Sequence, residues 1–379
     1  MTLTPRLSPR LAASTLACVL TLSAGVSTIA ISAAQAAPAP LVIAVEAPLT
    51  GAQASNGIDM ARGVQLAVDQ INASGGIKGR KITLIKLDDK ADPTLALSMV
   101  TAAQKAGAVA VVGPYNSSVG LINLPKYVAA GITPVQMTST DQTTGLGVTI
   151  QPKNSQISPV EVAYITGQKV KKVAMLVDPS DYTQGMADRT RTALTAAGIS
   201  VTTTPITEGQ ADYAAPVKAA LATSPDLVYV STYFPEGAKI ATTLASANTT
   251  AQCFMGLANV DPAFVTAAGV TNSQRCKFSG VPAAAQLPTA KRFVLQFTKA
   301  FKTAPGVWGV FTYDSTNLLA SAIRSAGSTN ITPVLAKLKS AKNFAGQTGA
   351  ITMDPKTGNR TNVPVFILKV NAAGIFEIS

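Results

Sequence analysis

The sequence predicts an α/β protein made of two parallel sheets in tandem, each covered by helices. Three observations carry this. Short apolar runs alternate with helix-period segments from Leu41 onward, the alternation stops and restarts once around residues 151–155, and 379 residues are enough for two domains rather than one. Strands that alternate with helices need crossover connections, which produce parallel strands with helices on both faces.

Taken in order, residues 41–45 (Leu-Val-Ile-Ala-Val) read as a buried strand, and Ile58, Ala61, Val64, Val68 and Ile71 share one face of the helix that follows. Residues 82–85 are the next strand, 93–106 a helix, and 109–112 and 132–135 two further strands. After 151–155 come a strand at 173–177, a helix at 184–197, a strand at 199–203, a helix at 214–222 and a strand at 227–230. A helix at 236–247 and strands at 253–255 and 277–281 close this second series.

Ahead of the first strand, Arg6 and Arg10 precede an apolar stretch over 11–31 that ends in Ala34-Gln35-Ala36. That is the order of a secretory signal cleaved after Ala36. The stretch is long enough to cross a bilayer, but Ser, Thr and Gly dilute it and the small-residue end favours cleavage over anchoring. Cys18, in a poor match to a lipoprotein signal, leaves with it. The remaining 343 residues lose two arginines and no acid, so the net charge falls from +12 to +10. Lys and Arg are scattered and not interleaved with aromatics, which argues against nucleic acid and for an anionic small ligand or a negatively charged envelope surface.

Cys253 and Cys276 remain, and in an oxidising compartment they point to a disulfide rather than two separate thiols. The chain has no histidine, which removes the commonest general base and metal ligand, and no metal or cofactor is expected. It has neither a G-x-S-x-G elbow nor a phosphate-cradling glycine loop. An enzyme reading therefore survives only as two-carboxylate chemistry among Glu46, Asp178, Asp181 and Glu236.

In open α/β sheets ligands bind outside the carboxyl ends of the strands, so the loops after each strand hold the candidate site. In Gly113-Pro114-Tyr115-Asn116-Ser117-Ser118 a strand ends at glycine and hydroxyls open a helix. Unpaired N–H groups and the helix dipole favour a carboxylate there, beside Ser117 or Ser118, although a plain helix cap has the same composition. Met137-Thr138-Ser139-Thr140 is a second hydroxyl cluster after a strand, placed by the repeat opposite the Ser117 loop. Tyr182 and Tyr233 follow second-series strands and Trp308 precedes a later helix; such rings either wall a cleft or pack in the core.

Several motifs then resemble one family. Asn72-Ala73-Ser74-Gly75-Gly76-Ile77 before a strand, Asp88-Asp89 with Asp92-Pro93, Phe254-Met255-Gly256, and Tyr313-Asp314 before a helix are similar to the branched-chain amino-acid (leucine/isoleucine/valine) binding proteins of bacterial importers. The resemblance runs through nearly the whole chain after the signal. It implies a type I periplasmic-binding-protein fold of two Rossmann-like lobes joined by three hinge crossings, near Pro152, Val281 and Ile351. One lobe would be 37–152 plus 282–350, the other 153–281 plus 351–379. It also implies a periplasmic monomer that hands a ligand to the permease and ATPase subunits of an ABC importer.

By the same resemblance, Ser117 and the Thr140 backbone would hold the ligand carboxylate. The Thr138 carbonyl and Thr140 hydroxyl would face its α-substituent, and Tyr182, Tyr233 and Trp308 would line the pocket. Asn56 and Tyr115 fall on positions that touch the ligand side chain. Two departures stand out. Ala258 occupies the place of the acid that pairs with an α-ammonium, and Ala91 and Asn116 replace the family's first-lobe cysteine pair. An unpaired buried ammonium costs several kcal/mol. A carboxylate without an ammonium, such as a 2-oxo or aromatic acid, is therefore expected, with Glu236 as a possible substitute acid. Branched-chain or other hydrophobic L-amino acids are the alternative ligands, and a ligand-sensing receptor is the alternative role.

Overall fold

The structure, a computed structural model, describes residues 38–379. The signal segment 1–36 and Cys18 lie outside them. The first sheet contains β1 (Leu41–Ala47), β2 (Ile82–Asp88), β3 (Ala108–Val112) and β4 (Thr133–Val135) in the order β2-β1-β3-β4, all parallel. Its connections are α1 (Ala54–Ala73), α2 (Ala96–Lys105) and α3 (Ser117–Ala129). Alternation along β1 sorts the two faces: Ile43 and Val45 join Met60 and Val64 of α1, whereas Ala44 joins Val100 and Tyr127 of α2 and α3.

The second sheet follows α4 (Asn154–Gly167). Its elements are β5 (Lys172–Val177), α5 (Asp181–Ala196), β6 (Ser200–Pro205), α6 (Ala214–Leu221), β7 (Leu227–Ser231), α7 (Phe234–Ser246), β8 (Gln252–Met255), α8 (Pro262–Ala268), α9 (Val270–Gln274) and β9 (Cys276–Gly280). Helices α10 (Lys291–Phe301), α11 (Trp308–Ala326) and α12 (Ile331–Lys339) then return to the first sheet's side, with α11 lying along α1. The hairpin β10 (Phe344–Gly346) and β11 (Gly349–Ile351) follows. Finally β12 (Phe366–Val370) and β13 (Phe376–Ile378) extend the second sheet to seven strands, β13-β12-β9-β8-β7-β5-β6.

Several expectations need correction. The second sheet is mixed, because β12 and β13 add antiparallel at its edge. Ile58 is exposed and not part of the buried face of α1. Helix α4 has no counterpart in the sequence reading, because its buried face carries Asn154, Ser158 and Glu161 among the apolar residues and so hides the helical period. Tyr313 and Asp314 lie inside α11, which begins at Trp308.

Cys253 and Cys276 are register partners on the neighbouring parallel strands β8 and β9 and form a disulfide. Between the sheets, Asn359 bridges to Thr149 before the chain reaches β12. No helix among the described residues is long and apolar enough to cross a membrane.

Candidate functional site

The strand-end loops of both sheets meet around one small cavity, lined by Tyr115, Ser117, Met137, Ser139, Gln151 and Trp308 on one side and Tyr182, Tyr233, Leu257 and Ala258 on the other. Each wall is set by a local device. At the end of β3, Gly113 takes φ +121°, and a Cβ there would stand 2.0 Å from the Glu46 carbonyl oxygen, so glycine is required for the turn that presents Tyr115. Ser117 opens α3 behind Asn116, whose side chain makes no capping bond. Ser117 Oγ accepts a 3.2 Å bond from the Thr140 N–H, joining the two hydroxyl-rich loops.

Trp308 is held by its helix start. Asp59 of α1 accepts from the N–H groups of Gly306 and Gly309 at 2.8 and 2.6 Å, which satisfies donors at the beginning of α11. Burial, partly offset by these bonds, raises Asp59 to about 6. Close approach of the helices needs Gly63, since a Cβ there would lie 2.0 Å from the Gly309 carbonyl oxygen. Tyr182 sits in the first turn of α5, capped by Ser180, and its carbonyl accepts from Asn154 Nδ2 at 3.2 Å. Tyr233 is the residue just before α7, and Ala258 lies in the short turn after β8.

The rings form a connected wall. Tyr115 is 5.7 Å from Trp308 and 6.0 Å from Tyr233, and Tyr233 is 5.7 Å from Tyr182. Burial pushes all three phenols upward, so they remain protonated donors near neutrality. The Tyr182 hydroxyl and Gln151 Oε1 are buried without hydrogen-bond partners. Unsatisfied polar atoms at a cavity wall cost free energy until something binds them.

Six of the residues expected at the site therefore line the cavity: Tyr115, Ser117, Tyr182, Tyr233, Ala258 and Trp308. Four do not. Asn56 stands behind the ring wall, 3.4 Å from the Tyr115 hydroxyl. Asn116 donates to Gln53 Oε1 at 2.9 Å and belongs to a separate hollow with Ser118, Ser180 and Glu208. The Thr138 hydroxyl is spent on Gln136 and Thr143, and the Thr138 and Thr140 carbonyls face away onto Lys153. Glu236 bonds the Gly209 N–H at 3.1 Å and is not among the lining residues. No lining residue is charged, and no group of His, Cys, Asp or Glu able to hold a metal occurs among the described residues.

The sequence reading missed Gln151 and Lys153. Both sit in the 151–155 stretch, which the restart of the pattern marks as a connection and nothing marks as a site. The signal was the position itself, because a crossing between two sheets passes the cleft by geometry.

Residues 40–374 match the model of the periplasmic binding protein family. An amino acid binding protein of Pseudomonas aeruginosa is 31% identical over 310 residues, covering 80% of this chain and 83% of the relative. A Leu/Ile/Val-binding protein homolog of Brucella melitensis is 30% identical over 346 residues, covering 89% and 93%. In three dimensions the chain resembles a leucine-binding protein of Thermotoga maritima, with a TM-score of 0.83 at 22% identity over 89% of this chain and 97% of that one.

Proposed function

The chain belongs to the branched-chain amino-acid-binding family of type I periplasmic binding proteins, and from that premise we propose that it captures a small carboxylate lacking an α-ammonium, such as a 2-oxo or aromatic acid, between two lobes. The lobes are 37–152 with 282–350, and 153–281 with 351–379. The captured acid is delivered in the periplasm to the permease and ATPase subunits of an ABC importer.

The observation that carries the ligand class is the neutral cavity. Ala258 stands where an acid is expected, and none of the ten lining residues is a carboxylate. An α-ammonium there would lose its water and gain no counter-charge, at a cost of several kcal/mol. The carboxylate end fares differently. The Ser117 hydroxyl, oriented by the Thr140 N–H that it accepts, and the first turn of α3 offer neutral donors and a favourable helix dipole. The four rings suit a flat or apolar remainder.

Ligand selects the closed arrangement by touching both lobes, Ser117 and Trp308 on one and Tyr182 and Tyr233 on the other. The relatives' names keep branched-chain or other hydrophobic amino acids as the second reading. Calorimetric titration with leucine, phenylalanine and phenylpyruvate separates the two. Tight leucine binding with none of the oxo acid would overturn the first.

A further inference from the structure

Lys153 is fully buried, and all of its acceptors are neutral. Its Nζ donates to the carbonyls of Thr138 and Thr140 at 3.0 and 3.2 Å, to Thr143 Oγ1 at 2.7 Å and to Gln136 Oε1 at 3.2 Å. Four neutral acceptors share the ammonium's three N–H donors and leave its charge uncompensated. The charged groups around it do not close that gap. Asp141, in the turn after Thr140, is engaged by Arg189 of α5 at 2.8 Å and by Ser155 Oγ at 2.6 Å. Arg360 gives its carbonyl to Gln156 and turns its guanidinium to Thr348 and Ala350, beside Asp314. Glu161 of α4 is taken up by Ser279, Tyr229 and Thr190. Strand β4 carries no charge, and the Tyr182 phenol stays protonated.

The same lysine shapes the carboxylate seat. It pulls the carbonyls on either side of Ser139 backwards, while the Ser139 carbonyl accepts from the Asn154 N–H at 2.8 Å. The Thr140 N–H is thereby left pointing forward at Ser117 Oγ. The Lys153 amine thus lies on the opposite side of the Thr138–Thr140 backbone from Ser117 Oγ.

We propose that Lys153 is a positioning residue for the ligand carboxylate: it holds the Thr138–Thr140 loop, supplies the positive charge behind it, and takes up a proton as the anion binds. This rests on the carboxylate part of the reading above and does not require the missing ammonium. Burial lowers the lysine to about 7, with Asp141 opposing weakly, so near neutrality the empty site is partly deprotonated. An anion on the Ser117 side then raises it again, and ligand and proton bind together.

The test is calorimetry of the full chain with phenylpyruvate and with leucine, in two buffers of different ionisation enthalpy, across about pH 6 to 8.5. Phenylpyruvate affinity should fall above about pH 7, approaching tenfold per unit, with proton uptake on binding. Lys153→Gln should bind more weakly at the low end and lose both effects. Lys153→Arg, which stays charged, should lose the pH dependence while keeping affinity if the larger head is accommodated. Equal wild-type affinity without proton uptake overturns the proposal. So does a pH slope that survives in a folded Lys153→Gln protein, which would assign the proton to Asp89, Glu161 or Glu208. If Lys153→Gln does not fold, Lys153→Arg decides: a pH slope or proton uptake that survives in it overturns the proposal. Leucine binding with the same slope, and no phenylpyruvate binding, keeps Lys153 and sinks the ammonium-free ligand. Binding of neither acid overturns both.

Discussion

Replacing Ala258 by aspartate should convert the protein toward α-amino acids. Ala258 is buried and lines the cavity beside Tyr182, so a carboxylate added there faces a bound ligand with little water between. At about 4 Å and an effective dielectric near 20, an ammonium–carboxylate pair is worth roughly 4 kcal/mol. Desolvating the new carboxylate takes back part of this. A net gain of about 1.5–3 kcal/mol remains, roughly 10- to 100-fold tighter leucine binding. Phenylpyruvate should move oppositely, by about tenfold or more, because the same carboxylate then faces an anion with no cation between them. Titration of Ala258→Asp with both ligands measures this, and Ala258→Asn, similar in shape and uncharged, is the control. A folded Ala258→Asp protein with unchanged leucine affinity would refute the reasoning, as would an equal gain from the asparagine.

Other consequences concern the ring wall, the buried acids and the disulfide. Tyr182→Phe removes a hydroxyl that has no partner here, so melting temperature should hold or rise while ligand affinity falls about tenfold; an unchanged affinity would place the ligand elsewhere. Tyr182→Ala should weaken binding further by loosening lobe closure as well as contact, read as a lower affinity together with a larger radius in scattering. Burial raises Glu161 to about 7 from 4.5, Asp89 to about 7 from 3.8, and Asp59 to about 6 from 3.8. Between the ordinary and raised values the folded state binds more protons than the unfolded one, so stability falls as pH rises through about 4 to 7. The melting temperature should therefore be higher near pH 5.5 than near pH 7, and Glu161→Gln should flatten the slope; a rise over that range contradicts the assignment. Converting Cys253 and Cys276, 23 residues apart, to serine should cost about 3 kcal/mol in denaturant unfolding, from the loop freed in the unfolded chain; an unchanged midpoint would contradict it.

Much of the first sheet was legible because β1 and β3 carry apolar runs over 41–45 and 108–112 and the first helix repeats Ala61, Val64, Val68 and Ile71 on one face. Helix α4 was not, since the face it buries contains Ser158 and Glu161. Those polar residues are tolerated because Thr190, Tyr229 and Ser279 from other elements reach them. Their partners lie 29 to 118 residues away, beyond any local pattern.

The candidate site divides along the same line. Residue identity alone indicated the glycine-ended turn at Gly113, the hydroxyl at Ser117 and the rings, because loops after parallel strands converge wherever the sheets lie, whereas the missing acid at Ala258 followed only from the resemblance to the family. Only the tertiary structure decided which atoms face the cavity. It turned the Thr138 and Thr140 carbonyls onto Lys153, sent Asn116 to a neighbouring hollow, kept Glu236 out of the lining and brought Gln151 into it. The sequence specifies what chemistry each loop carries, but the direction of a carbonyl or a carboxylate depends on the nearest buried donor, and that donor comes from distant parts of the chain.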